Sequence, residues 1–153
     1  MPNTRTSRRR RYRNSQDVGR GIPSLERMEP RLMLSGDGLT AEYYDTIDLT
    51  GTSLHRIDAT VDFNWGSGSP DASIGADTFS ARWTGQVQTI EAGTYTFFTN
   101  SDEGVRLWVN GQKIIDNWTS HTATENSGQI SLAAGTQYDI KLEYYENTGS
   151  AVM

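Results

Sequence analysis

The sequence contains no cysteine among its 153 residues, and this absence excludes several kinds of chemistry. Without thiols the chain forms no disulfide, has no thiol nucleophile and cannot hold a zinc ion through thiolates. Its two histidines, His55 and His121, lie far apart in the sequence, and no serine stands in the sharp glycine-flanked turn that presents a nucleophile in many hydrolases. We therefore predict no catalytic residue, and the chain is not expected to be an enzyme.

Long apolar runs are also missing. A helix that crosses a bilayer needs about 20 consecutive, mostly apolar residues, and no stretch of the chain comes near that length. We therefore predict no transmembrane segment. Hydrophobic residues make up 35% of the chain, which is enough for one modest core.

Charge is distributed unevenly along the chain. Residues 1–34 carry nine arginines and three acidic residues, whereas residues 35–153 carry sixteen acidic residues and five basic ones. An acidic body repels nucleic-acid phosphates, so only the basic arm could bind nucleic acid, and it would do so without sequence preference. The alternative is a solvated leader, because no aromatic platform or folded basic face accompanies the arginines. No specific nucleic-acid partner is predicted.

Residues 1–37 are predicted to form a disordered, arginine-rich leader, because Pro23, Pro30 and several glycines interrupt any helix or strand. Residues 25–35 of this leader (LERMEPRLMLS) resemble the LEPR-XLL segment found near the amino terminus of very large bacterial surface and exported proteins, with methionine at two positions where that pattern has leucine. The resemblance implies a protein destined for the cell envelope or beyond. We therefore expect an extracellular or cell-surface location.

The remainder, residues 38–153, has the two-residue periodicity of β-strands. Apolar and polar residues alternate strictly over 57–65, 105–109 and 138–144. Asn110-Gly111 predicts a two-residue hairpin turn. No window of a dozen residues shows the apolar stripe of a helix. We therefore predict an all-β fold, an antiparallel β-sandwich of jelly-roll type.

Three stretches within this region carry a family resemblance. They are residues 38–44 (GLTAEYY), 79–98 (FSARWTGQVQTIEAGTYTFF) and 100–118 (NSDEGVRLWVNGQKIIDNW). In the third, an acidic turn, a strand, an Asn-Gly hairpin and Ile-Asp-Asn-Trp follow one another, and together the stretches resemble the fourteen-kilodalton protective-antigen ("PA-fourteen") domain family. The resemblance implies a β-sandwich module that usually serves as a carbohydrate-binding or adhesive part of bacterial toxins, glycosidases and surface proteins.

The same resemblance implies a calcium site. In the adhesin branch of the family, two consecutive aspartates joined by a cis peptide bond bind calcium, which in turn holds sugar hydroxyls; the matching residues here are Asp102 and Glu103. Glutamate departs from that pattern, because its longer side chain places the carboxylate at a different point. Calcium takes six to eight oxygen ligands, so an adjacent pair cannot complete the shell, and the resemblance points to Asn147 as a further ligand. The alternative is an ordinary acidic β-turn, with Asp102 accepting backbone hydrogens and Gly104 in the strained position.

Candidate sugar contacts also lie beyond the acidic pair. Asn117 is either a sugar ligand or a residue that ends a strand with local side-chain hydrogen bonds. Trp118, at the mouth of a loop, and Trp108, on the polar side of its strand, are each either a stacking platform for a sugar or part of the sandwich. The predicted ligand-binding residues are Asp102, Glu103, Asn117, Trp118 and Asn147, and the predicted metal ligands are Asp102, Glu103 and Asn147.

These observations favour a carbohydrate-binding or adhesive module of a larger secreted or surface protein, with glycans or cell-wall polysaccharide as partners and calcium as a cofactor. Two alternatives stay open: a structural or protein-binding spacer without a working sugar site, and an accessory domain of a glycoside hydrolase. The chain ends at Met153, where the family pattern continues into a last strand, so we expect the domain formed by residues 38–153 to be incomplete at its carboxyl end. The sequence indicates no oligomeric state.

Overall fold

The fold is described by a computed structural model covering residues 32–34, 36 and 38–153. Within these residues the secondary structure consists of strands and turns, and no helix occurs. The eleven strands are β1 (Leu32–Leu34), β2 (Leu39–Tyr44), β3 (Ser53–Asp58), β4 (Asn64–Gly66), β5 (Phe79–Thr89), β6 (Gly93–Ser101), β7 (Val105–Val109), β8 (Gln112–Asn117), β9 (Thr124–Leu132), β10 (Gln137–Glu146) and β11 (Ala151–Val152).

Seven strands form one antiparallel sheet. Its order is β3-β2-β5-β10-β7-β8, and β1 pairs with the end of β5 on the edge that β2 also occupies, opposite β10. Strands β6 and β9 form a second antiparallel pair, and β4 pairs with β11. The predicted all-β antiparallel sandwich is confirmed.

The predicted leader lies almost wholly outside the described residues, as does most of the LEPR-XLL-like stretch. The exception is Leu32–Leu34, which forms β1. This strand pairs with β5, where Leu34 lies opposite Val87 and Leu32 lies opposite Thr89. For these three residues the prediction of disorder is wrong, because β5 extends far enough to offer them a pairing partner.

The core lies between the two main layers. Trp83, Tyr43, Tyr144 and Phe79 from the large sheet are fully buried, and they belong to the same hydrophobic cluster as the apolar residues of β6 and β9. The rings of Tyr43 and Trp83 pack edge to face with centroids 5.7 Å apart, an arrangement that aromatic quadrupoles favour. Inward-facing aromatic residues therefore account for much of the cohesion of this small domain.

The strand predicted over 57–65 is wrong in its extent, and the predicted direction of the side chains is wrong at Ile57 and Asp58, although Val61, Phe63 and Trp65 do pack against the core. Strand β3 ends at Asp58, and β4 begins only at Asn64. Ile57 is 57% exposed whereas Asp58 is 7% exposed, the reverse of the expected phase. The reason is a buried polar network, in which the Asp58 carboxylate accepts hydrogen bonds from the Tyr43 hydroxyl at 2.5 Å and the Trp83 indole at 2.8 Å.

The hairpin predicted at Asn110-Gly111 is confirmed. These two residues join β7 to β8 and have φ angles of 50° and 72°, the left-handed values that such a turn requires. Within β7, Leu107 and Val109 face the core, while Trp108 faces outward and is half-buried.

Among the described residues, none belongs to a helix with the length and apolar character needed to cross a membrane.

Candidate functional site

The predicted acidic pair lies in a tight turn between β6 and β7, at one end of the sandwich. The buried hydroxyl of Ser101 donates to the Glu103 carbonyl at 2.9 Å, and the Tyr145 amide of β10 donates to the Gly104 carbonyl at 3.0 Å. A Cβ atom on Gly104 would lie 2.0 Å from Cε1 of Tyr145. The glycine is therefore required because a tyrosine ring packs against its backbone; it has no positive φ, so the strained conformation that we considered for it is wrong.

The Asp102 carboxylate ties this turn to the carboxyl-terminal part of the domain. Its Oδ1 atom accepts a hydrogen bond from the Tyr144 hydroxyl at 2.9 Å and another from the Val152 amide at 3.1 Å. The interpretation as an ordinary β-turn assumed a backbone donor within the turn itself. The donor is instead the Val152 amide of β11. Asp102 is therefore held in a fixed orientation by two strands distant from it in sequence.

Two buried glutamates beside Asp102 each leave an oxygen unsatisfied. Among the described residues, Oε2 of Glu103 and Oε1 of Glu146 are buried and have no hydrogen-bond partner. Burial raises the pKa of Glu146 to about 7, and repulsion from Asp102, Glu103 and Asp77 adds to this, although a hydrogen bond from the Tyr144 hydroxyl acts in the opposite direction. An unpaired buried carboxylate oxygen carries a large desolvation cost, so this cluster favours a proton or a cation.

The calcium geometry implied by the adhesin branch is not reproduced in full. Every peptide bond of the described residues is trans, including the bond between Asp102 and Glu103. Within residues 38–153, no three acidic or histidine side chains converge closely enough to hold a metal ion by themselves. The donor chemistry nevertheless fits calcium, because the cluster presents carboxylate oxygens and two of them are buried without a partner.

Two neighbouring pockets divide the predicted site residues between them. The first has a volume of about 590 Å³, and its lining includes Asp102, Glu103, His121, Thr148 and Ser150. The second has a volume of about 290 Å³ and is lined by Ile47, Asp48, Trp118, Ser120, Tyr145 and Asn147. Ser120 also lines the first pocket. Asp102 and Glu103 therefore line the first pocket, whereas Asn147 lines the adjoining pocket with Trp118.

Trp118 is held in place by its neighbours in the second pocket. Its ring packs edge to face against Tyr145 with centroids 4.8 Å apart, and the Arg106 guanidinium lies 3.7 Å from its centroid. Cation–π contacts of this kind stabilise an indole in one orientation. Trp118 is thus a fixed wall of the pocket rather than a mobile side chain.

Asn117 forms the local hydrogen bonds that we considered as the alternative to sugar binding. Its amide nitrogen donates to Oδ1 of Asn126 at 3.2 Å, and its own Oδ1 accepts from the Thr119 hydroxyl at 2.7 Å. Both polar ends of the side chain are therefore already engaged. Asn117 does not line either pocket.

Three residues of the site were missed by sequence reasoning. His121 lines the first pocket, and its Nε2 atom is buried without a hydrogen-bond partner in the part of the chain described. Tyr144 and Glu146 contact Asp102 or each other from the end of β10. The alternation along β10 did indicate that Tyr144 and Glu146 share the inward face, which was the signal available for placing them beside the turn.

The described residues thus form an antiparallel sandwich that displays an acidic turn beside two pockets at one end. The family model of the PA14 domain matches residues 35–152, so the chain belongs to the PA14 domain family. This confirms the main family resemblance seen in the sequence.

Comparison with individual proteins gives both close and distant relatives. The chain is 53% identical over 117 residues to the anti-sigma-I factor RsgI3 of Acetivibrio thermocellus, covering 76% of this chain and 18% of that protein. A solved anti-sigma factor domain-containing protein is 52% identical, with a TM-score of 0.74, over 76% of this chain and 41% of the other. The PA14 sugar-binding domain from an RTX adhesin shares the fold with 22% identity and a TM-score of 0.61, over 76% of this chain and 86% of the other. The chain thus spans less than a fifth of the RsgI3 relative.

Proposed function

We propose that this domain binds carbohydrate at the loop end of the sandwich, with the help of a calcium ion. The observation that carries the proposal is the pair of buried carboxylate oxygens, on Glu103 and Glu146, that lack a partner in the described structure beside Asp102. Such oxygens are costly unless something binds them. A cation with open coordination positions that sugar hydroxyls can fill would satisfy them.

Calcium suits these residues because it is a hard cation that prefers oxygen ligands and tolerates irregular geometry. Asp102 and Glu103 would hold the ion from the turn, and Asn147 is a candidate third ligand if the loop after β10 approaches. When bound, calcium supplies positive charge and vacant positions for vicinal hydroxyl groups. The acidic surplus of the domain favours uptake of a cation.

The two pockets provide the remaining contacts that a sugar needs. Ser150 and Thr148 line the first pocket together with His121 and offer hydroxyl and imidazole groups for hydrogen bonding. Trp118 and Tyr145 provide aromatic surface in the second, and aromatic rings pack well against the apolar faces of sugars. The support for a sugar as ligand also includes the distant relative that is described as a sugar-binding domain from an adhesin.

The role in the whole protein is proposed from the relatives. Resemblance at about half identity to anti-sigma factor proteins favours a sensory part that reports polysaccharide outside the cell, as a second candidate beside an adhesive part. Either role fits an extracellular or cell-surface location. Both roles use the domain as a binding module and require no enzymatic activity from it.

The expected affinity for a single sugar is low. A monosaccharide has about twelve heavy atoms, and at roughly −0.3 kcal/mol per atom it would bind with about −4 kcal/mol, which corresponds to a millimolar dissociation constant. Avidity from several modules or from a repetitive polysaccharide would raise the effective affinity.

A glycan array probed with and without the chelator EGTA tests the proposal. We expect a set of glycans that is bound in calcium and lost both in EGTA and in Asp102→Asn, a variant that keeps an oxygen to accept the bond from Val152. Asp116→Asn is the matched control, because Asp116 is exposed on β8 and bonds only Lys113 in the described structure. The same samples should melt at higher temperature in calcium for the wild type and for the control only.

If the wild-type protein binds no glycan of the array in calcium, the proposal is overturned. Equal binding in calcium and EGTA would remove the role of the cation. Equal loss in Asp102→Asn and Asp116→Asn would show that charge in general, and not this site, is responsible.

A further inference from the structure

A groove separate from the two loop-end pockets lies on the outer face of the seven-stranded sheet. It has a volume of about 700 Å³, within the usual range of ligand sites, and it runs over β5, β10 and the β7–β8 hairpin. Its lining residues are Thr84, Gly85, Gln86, Trp108, Gly111, Asp139, Ile140 and Lys141. None of them lines the two loop-end pockets.

Trp108 is the aromatic residue of this groove. It stands opposite Lys141 of β10 and Lys113 of β8 in the register of the sheet. The core beneath it is already filled by Leu107 and Val109, which are 3% and 0% exposed, so the outward indole is not needed for the hydrophobic core. A single aromatic ring on a polar sheet face is ordinary by itself, so its neighbours decide whether it can serve a ligand.

Cationic side chains lie over the indole, with the Arg106 guanidinium 5.5 Å and the Lys113 ammonium 5.7 Å from the ring centroid, and Lys141 is the nearest of them. The Lys141 ammonium lies 3.9 Å from the ring centroid, and the Lys141 side chain is 41% exposed. A cation–π contact at an exposed site is a weak interaction, so a ligand can displace this lysine from the ring. The space that the ammonium occupies is the space where a flat apolar ligand face would stack.

Polar groups suited to hydroxyls surround the ring. Gln86 Nε2 donates to Asp139 Oδ1 at 3.0 Å, and both side chains are exposed on the groove. The Thr84 hydroxyl lies on the same row of the sheet as Lys141 and Trp108. Amide, carboxylate and hydroxyl groups arranged in this way can both donate to and accept from a sugar.

The charges around the groove are balanced. The cations near the Trp108 ring already have carboxylates within 4 Å, since Lys141 lies 3.6 Å from Glu143 and Lys113 lies 2.6 Å from Asp116. Arg106 is likewise paired with Glu143 at 2.6 Å. Lys141 and Arg106 share the single carboxylate of Glu143, but the groove also contains the Asp139 carboxylate, which is hydrogen-bonded by Gln86 and by no cation in the described structure. Carboxylates thus lie among the cations, and a polyanion would gain little here.

We propose that this groove is a second carbohydrate site, which binds a segment of a neutral polysaccharide with one pyranose ring stacked on Trp108. The binding requires no cation, because the groove contains no cluster of unpartnered carboxylate oxygens in the described structure. The two sites share no lining residue. The proposal does not depend on the loop-end site.

Affinity electrophoresis of the full chain in EGTA tests this inference. The gels contain hydroxyethylcellulose, glucomannan or laminarin as neutral polymers, and polygalacturonate or alginate as acidic ones. We expect retardation by at least one neutral polymer, and about a tenfold loss of affinity in Trp108→Ala. Trp108→Phe should recover part of the affinity, because it keeps an aromatic face.

Two further variants make the result specific. Phe98→Ala is the matched control, since Phe98 is an aromatic residue that is 62% exposed on β6, in the other layer, and it should bind as the wild type does. Asp102→Asn should also bind normally in EGTA, although it loses the calcium-dependent binding at the loop end. Thermal melts of each variant identify any that fails to fold, and Trp108→Phe then replaces Trp108→Ala.

Three results would overturn the inference. They are the absence of retardation by all neutral polymers, retardation by acidic polymers alone that disappears with added salt, and equal loss of affinity in Phe98→Ala and Trp108→Ala. Each leaves the calcium-dependent array result unaffected, so failure of this site and failure of the loop-end site are distinguishable.

Discussion

Glu143 and Glu146 lie three residues apart on strand β10, yet their surroundings are opposite. Glu143 faces the outer side of the sheet, where Arg82 and Arg106 bind its two oxygens at 3.0 and 2.6 Å. Burial by itself would raise the pKa of Glu143, but the hydrogen bonds from these arginines outweigh burial and lower it. Glu146 faces inward among other carboxylates, and its pKa is raised to about 7.

The difference distinguishes carboxylates that are paired within the fold from carboxylates that are left for a ligand to satisfy. On the outer face, each carboxylate of the central row is neutralised by a cation across the sheet, from Glu42 and Arg82 through to Arg106. At the loop end, Asp102, Glu103 and Glu146 form no ion pair with an arginine or lysine among the described residues, and two of them keep unpaired oxygens. The first arrangement is complete as it stands, whereas the second is completed by a proton or a cation.

The largest expected effect comes from breaking the turn that carries the loop-end acids. Gly104→Ala would place a methyl group 2.0 Å from the Tyr145 ring, and we expect a loss of at least about 3 kcal/mol in the free energy of unfolding, at the upper end of overpacking effects. Denaturant titration at constant m-value measures it.

Gly93→Ala is the control for this change, because a Cβ there meets nothing within 4 Å and the backbone φ is not positive. It should alter stability by less than about 0.5 kcal/mol. Equal effects of the two substitutions would contradict the packing explanation.

The second effect is a pH dependence caused by Glu146. Its folded pKa is about 7 and its ordinary value is 4.5, so between these values the folded state holds a proton that the unfolded state has released. The wild-type protein in EGTA should therefore lose stability as the pH rises from about 4.5 to 7.5, by roughly 3 kcal/mol from this group. Denaturant titrations at several pH values should show a flatter profile in Glu146→Gln, and an unchanged slope would contradict the assignment.

The third effect has the opposite sign and comes from Glu143. Its folded pKa is lowered, so it stabilises the fold above its ordinary pKa of 4.5 and the contribution is lost as the pH falls through the folded pKa. We expect Glu143→Gln to cost about 1–2 kcal/mol at pH 7 and to differ less from the wild type in acid. A cost that grows on acidification would contradict the pairing with Arg82 and Arg106.

The smallest expected effect is that of an exposed ion pair at the edge of the sheet. Lys113 and Asp116 are 2.6 Å apart, but their side chains are 38% and 52% exposed. Solvent screens such pairs, so Lys113→Ala should change the free energy of unfolding by less than about 0.5 kcal/mol. Thermal melts at low and high salt measure this, and a shift above that size would show that the outer face depends on each of its cations.

Much of the fold was predictable from local patterns. The alternation along β10 and the positive φ demanded by Asn110-Gly111 are properties of short segments, and the structure confirms both. The phase of β3 was not predictable in this way. Asp58 is buried because Tyr43 and Trp83, which are distant in sequence, donate to its carboxylate.

The candidate site was predictable in part for the same reason. The sequence places Asp102 and Glu103 together in a turn, but the Asp102 carboxylate finds its partners in Tyr144 and Val152, which reach it through the fold. The demand for glycine at position 104 likewise arises from the packing of Tyr145 and not from the turn conformation. Contacts across layers decide these points, and no local pattern records them.

Strand β10 carries residues of both proposed sites, with Lys141 facing outward and Glu146 facing inward. Successive side chains of a strand point to opposite faces. Inserting or deleting one residue within β10 would therefore turn its outward-facing side chains inward and its inward-facing side chains outward. A single such change would remove both binding surfaces at once, whereas point substitutions alter them separately. During divergence, the length of this strand is therefore expected to stay constant.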